Sequence, residues 1–176
     1  ELAIANIVRS VYVVMFIPVN SLATATNTLV SNTMGATKIL EVIPLIRKIS
    51  KISFGVMVCF ATVLCLFPHA ILSIYTNDPS LLSASVPSLY VIAAVSLICS
   101  VAVIVFNGLS GTGNTRPAFI LEAGILVVYV LYLYIVGIRM RQPVHICYIV
   151  ELVYFIGLLA CCILYFRFAR WDKKKI

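Results

Sequence analysis

Two acids stand inside otherwise apolar runs, and chemistry is expected there first. Glu122 lies five residues past Pro117, about 7–8 Å along a helix at ~1.5 Å per residue, and shares a helical face with Ile125, Tyr129 and Tyr132. Glu151 has Tyr148 three residues before it, and Tyr154 and Phe155 three and four after it. An acid at such depth in hydrocarbon costs roughly 2.5–3.5 kcal/mol unless it faces water, pairs, or carries a proton. Aromatic faces beside an acid attract organic cations through charge and ring quadrupole, and a carboxyl that gains and loses a proton suits proton coupling. The alternative for both is a structural acid, hydrogen-bonded near the membrane interface.

A second candidate is a stripe. Asn20, Thr24, Asn27, Thr28 and Ser31 recur at helical spacing and share one face. Such a face either packs against a neighbour through small and hydroxyl residues or lines a hydrated cavity. Pro18, just before it, is expected to kink the helix and free backbone groups for polar partners. Arg9 precedes residue 30 by 21 positions, ~31 Å, and Glu151 precedes residue 166 by 15, ~22 Å. Both therefore fall near the same membrane boundary, and a buried Arg9–Glu151 charge pair is expected if their helices are neighbours.

Other chemistries find no support. Cys59, Cys65, Cys99, Cys147, Cys161 and Cys162 lie in apolar runs with no CxxC and no Cys/His spacing for a metal. His69 and His145 sit beside prolines or at run ends and read as interfacial residues. Gly108, Gly111 and Gly113 follow an apolar run rather than a strand, so they make neither a dinucleotide fingerprint nor a phosphate loop. No enzyme, metal or cofactor is expected.

The elements that must position these residues are set by composition. Hydrophobic residues make up 62% of the chain and charged ones 11%, with a mean hydropathy of +1.11, against about 25% charged in soluble domains. Apolar runs of spanning length cover residues 2–30, 45–67, 86–106, 118–138 and 144–166. They lack the alternation of barrel strands, so the reading is all-α: one membrane domain, a bundle of five transmembrane helices. The chain starts at Glu1 directly on an apolar run, and five crossings put its termini on opposite sides. Both features are expected of a piece of a longer protein.

The net charge of +7 does not imply nucleic acid, because the basic residues cluster at run ends. Lys38, Arg47, Lys48, Lys51, Arg116, Arg167, Arg170, Lys173, Lys174 and Lys175 share one side, which the positive-inside rule makes cytoplasmic. Arg139 and Arg141 fall on the other. The tail, with Trp171 among basic residues, reads as an anchor at the inner leaflet. Thr76-Asn77-Asp78-Pro79-Ser80 is a turn-former cluster facing outside. Two runs end in small polar segments, residues 32–38 and 108–117, each placing glycine before a basic residue as a helix stop.

These segments carry a resemblance. Asn27-Thr28-Leu29-Val30-Ser31-Asn32-Thr33-Met34-Gly35-Ala36 resembles a helix ending in the C-terminal lobe of multidrug and toxic compound extrusion (MATE) transporters. Residues 107–117 resemble that family's glycine-rich loop two helices later, and Leu72-Ser73-Ile74-Tyr75-Thr76-Asn77-Asp78 its short outer connection. The resemblance implies the last five helices of a twelve-helix antiporter of two lobes, partnered by an N-terminal lobe outside this chain. It also implies export of a small organic, cationic or amphipathic compound against inward H⁺ or Na⁺, in a plasma membrane such as the bacterial inner membrane. Some members carry an aspartate of a cation site in the third of these helices, where this chain has Ser96, Cys99, Ser100 and Asn107. A lipid-linked precursor flippase of the same superfamily, or a non-transporting membrane subunit, is the alternative.

Overall fold

A computed structural model describes residues 2–76, 78–139 and 149–169. In chain order these form α1 (Leu2–Gly35), α2 (Ile39–Leu66), the short α3 (Pro68–Leu72), α4 (Pro79–Gly111), α5 (Thr115–Leu133) continuing into a π-helical turn (Tyr134–Arg139), and α6 (Ile149–Phe168). Five of these helices are long and apolar enough to cross a membrane, the fourth span running through the π turn to Val136. No strand occurs among the described residues. Helices satisfy their backbone groups internally, the condition for lying in lipid.

α4 is the central helix. It packs on α1, α2 and α6, while α5 leans mainly on α6. The main core joins Val8, Val11, Met15 and Val19 of α1, Met57 and Ala61 of α2, Leu89, Ile92 and Cys99 of α4, and Phe155 of α6. The outer surface remains apolar: Leu126, Val127, Val130 and Leu131 of α5 and Ile163 and Leu164 of α6 are exposed, as a lipid-facing belt requires. Ala118 is the buried residue of α5, which makes that helix the outermost of the five.

Hydropathy placed the ends imperfectly. α4 starts at Pro79 rather than near residue 86, because the polar Asp78-Pro79-Ser80 segment is its cap. The Asp78 carboxylate accepts from the Ser80 backbone N–H at 2.9 Å and from its hydroxyl at 2.7 Å, and Pro79 fills the first helical position. The Ser80 hydroxyl and backbone bonds hold the Asp78 carboxyl below its ordinary pKa. The cap is therefore fully charged at neutral pH, and its contribution is lost as pH falls through that depressed value.

α1 ends at Gly35, as expected, but the left-handed residue of its ending lies two positions further on. Lys38 N–H donates to the Thr33 carbonyl at 3.1 Å and Thr37 N–H to that of Met34 at 3.0 Å, a Schellman ending with Thr37 at φ 60°. A β-branched residue there is strained, whereas in the second segment Gly113 takes the left-handed position at φ 79° without that cost. Thr37→Gly is expected to stabilise the protein by about 0.5–1 kcal/mol, read as a higher melting temperature in detergent. A lower one would mean that the strain is relieved elsewhere.

α1 and α4 approach each other closely where they cross. A Cβ added to Gly111 would lie 2.7 Å from the Asn27 carbonyl oxygen, and Ser31 donates its hydroxyl to the Gly111 carbonyl at 3.0 Å. Gly108, one turn earlier, makes room for the Ile46 side chain of α2, 2.6 Å from such a Cβ. The glycines read as a stop signal thus also set helix spacing, as small residues do in membranes.

Candidate functional site

Glu151 lies in the first turn of α6 and is half-buried. Its carboxylate accepts the Tyr129 hydroxyl of α5 at 3.2 Å. Tyr12 of α1 has Glu151, Cys99, Tyr129 and Tyr154 as electrostatic neighbours, so four helices converge on one acid. Around it runs a chain of rings. Tyr12 meets Phe16 at 5.5 Å between centroids, Phe16 meets Phe155 at 6.5 Å, Phe155 meets Tyr154 edge-on at 5.1 Å, and Tyr154 meets Tyr129 edge-on at 5.8 Å. Edge-to-face rings are mutually attractive and hold their hydroxyl ends in fixed directions.

The face expected on α5 is the one that docks on α6. Ile125 rests at 3.8 Å from the position a Cβ would take on Gly157. Glu122 is half-buried, with Tyr154 and Cys162 as electrostatic neighbours. The two acids do not meet, as their antiparallel helices imply, but both act on Tyr154, which lies between them. Tyr132 is half-buried on the same helix. Tyr148 lies outside the described residues, as do Arg141, His145, Cys147 and the basic tail after residue 169.

Arg9 and Glu151 do not form the expected pair. The described residues contain one ion pair, Lys38–Glu41 at 3.7 Å on the surface. Arg9 is exposed in a small groove with Asn6, Val13 and Tyr75. The physical reason is azimuth: depth along the axis brought the two to one level, but Tyr12 and Phe16 take the side of α1 that approaches α6, and Arg9 snorkels outward. Tyr12 was missed because a lone tyrosine in an apolar run carries no signal of its own. A helical projection placing it beside the buried Val8, Val11, Met15 and Val19 stripe would have put it at the interface.

The stripe on α1 divides. Asn20, Thr24, Thr28 and Ser31 are exposed, while Asn27 is half-buried against Gly111. Thr24 donates to the Asn20 carbonyl at 3.0 Å and Thr28 to that of Thr24 at 3.1 Å, so Ser31 is the member that bonds across to another helix. Asn107 is half-buried and donates to its own helix at Val103, 2.9 Å. Among the described residues no three of His, Cys, Asp and Glu come together as metal ligands.

Five membrane-length helices, four of which meet at an acid lined with tyrosines, define a polytopic membrane protein with one polar helix face left open. The MatE family model matches residues 1–135, and the chain belongs to that family of membrane transporters. No curated protein and no solved structure matches it.

Proposed function

We propose that this protein exports small organic compounds, cationic or amphipathic, in exchange for inward H⁺ or Na⁺, by alternating access between this lobe and an N-terminal partner lobe. The observation that carries the proposal is the Glu151 carboxylate, held by Tyr129 in an aromatic enclosure where four helices meet. A carboxylate there can exchange a proton or attract a cation, and the rings offer π faces to an organic cation. Glu122 is a second proton carrier at the other side of Tyr154, and Asn20, Thr24 and Asn27 line the aqueous path on α1 together with Asn107 on α4.

The full-length protein in proteoliposomes tests this. An imposed pH or sodium gradient is expected to drive ethidium against its own gradient, and failure of both would remove the antiport reading. Glu122→Gln is expected to flatten the pH dependence of that transport while leaving expression intact, since the amide keeps volume and hydrogen bonding but cannot ionise. Wild-type rates at every pH would reassign Glu122 to structure.

We also propose that the basic end of the bundle faces the cytoplasm of a plasma membrane, as the positive-inside rule requires. In a cysteine-free background, Asn77→Cys is expected to react with an impermeant thiol reagent in intact cells and Gly113→Cys only after permeabilisation. The reverse pattern would invert the orientation.

A further inference from the structure

Between α2, α4 and α6, at the end of the bundle where α2 begins and α6 finishes, lies an open trough of about 710 Å³. Its mouth carries Arg47 and Lys51, one turn apart on α2, and Arg167 in the last turn of α6. Deeper in, its walls are apolar, with Phe54 on α2 and Ile163 on α6. Among the described residues no acid lines it, and none of the three cations has a carboxylate within ion-pair distance. The Arg167 guanidinium lies 5.7 Å from the centre of the Phe168 ring. Ser50, 9% exposed, also lines the trough, and its hydroxyl has no hydrogen-bond partner among the described residues.

A buried hydroxyl without a partner is costly, and three cations converging on one opening repel each other until an anion joins them. The gradient from a basic mouth to an apolar interior is that of a single lipid in one leaflet: phosphate at the interface, chains along the helices. We infer that this trough is a binding site for an anionic glycerophospholipid, its phosphodiester held by Arg47, Lys51 and Arg167 with the Ser50 hydroxyl donating to the ester region, and an acyl chain laid along Phe54 and Ile163. A soluble anion would leave the apolar walls uncovered. A zwitterionic lipid would bring its own cation into a basic mouth.

Full-length protein in mixed phosphatidylglycerol and phosphatidylcholine nanodiscs, released and stripped stepwise in the mass spectrometer, tests the site. The wild type is expected to retain one phosphatidylglycerol in preference to phosphatidylcholine. Each of Arg47→Gln, Lys51→Gln and Arg167→Gln is expected to lower that preference about fivefold. Lys38→Gln with Arg116→Gln, which removes two cations elsewhere at the same end, is expected to leave it unchanged. Equal retention of the two lipids, an unchanged preference in the triple variant, or displacement by inorganic phosphate alone would overturn the proposal. So would a photocrosslinker at Phe54 that captures another segment of the same protein in native membranes instead of lipid. The lipid adduct is the supporting result.

Discussion

Glu151→Gln is expected to reduce gradient-driven transport by the full-length protein to the level of passive leak, with the melting temperature in detergent unchanged or higher. The amide fills the same volume and still accepts the Tyr129 hydroxyl, so the aromatic enclosure survives. Only the ability to carry charge or a proton is lost, and with it the desolvation cost of a buried anion. Stability is therefore expected to move by no more than ~1 kcal/mol. Tyr129→Phe makes the complementary change: it keeps the ring against Tyr154 and removes the donor, which for a bond to a charged group contributes about 1.5–3 kcal/mol. That variant is expected to melt lower and to transport slowly. Full coupled transport by Glu151→Gln, measured with a pH gradient in proteoliposomes, would make Glu151 a structural anchor and move the search to Glu122.

The second large effect concerns stability, and its sign depends on what a new methyl group meets. At Gly111 the obstacle is backbone, the Asn27 carbonyl oxygen at 2.7 Å, so α1 and α4 must separate and the Ser31 bond to the Gly111 carbonyl is lost with them. Overpacking of this kind costs about 1–3 kcal/mol, which outweighs the ~1 kcal/mol that alanine gains over glycine in a helix. At Gly108 the obstacle is the end of the Ile46 side chain, which can rotate away. Melting temperatures are therefore expected to fall in the order Gly108→Ala, Gly111→Ala, Gly111→Val, with the first close to wild type and the last giving little folded protein. If Gly108→Ala proves as harmful as Gly111→Ala, the α1–α4 crossing is looser than described.

Much of the architecture was legible because lipid imposes a simple rule on length and hydropathy, and the five spans follow from it. What hydropathy does not see are polar caps. Asp78 and Pro79 begin α4 well before its apolar run, and α3 is too short to register at all. The α5 face with Glu122, Ile125 and Tyr129 was readable from spacing, since the periodicity of a straight helix survives packing. The Arg9–Glu151 pair was not, because counting residues measures depth and says nothing about the direction in which each helix is turned. For the same reason Tyr12 emerged only when the buried stripe of α1 was known. The basic trough escaped notice because its cations come from helices more than a hundred residues apart, Arg47 and Arg167, each ordinary at a helix end.

The exposed hydroxyls of α1 have one more consequence. Ser21, Thr24 and Thr28 each point their proton at the carbonyl one turn back, at 3.0–3.1 Å. Hiding a hydroxyl that had relied on water would cost about 1–3 kcal/mol apiece, enough over several residues to pin this helix permanently against solvent. With each proton already bonded, the face is amphibious: water can wet it through the remaining lone pairs, and a neighbouring helix can slide over it without orphaning a donor. A surface indifferent to being wet or dry is what the proposed alternating access would ask of this helix.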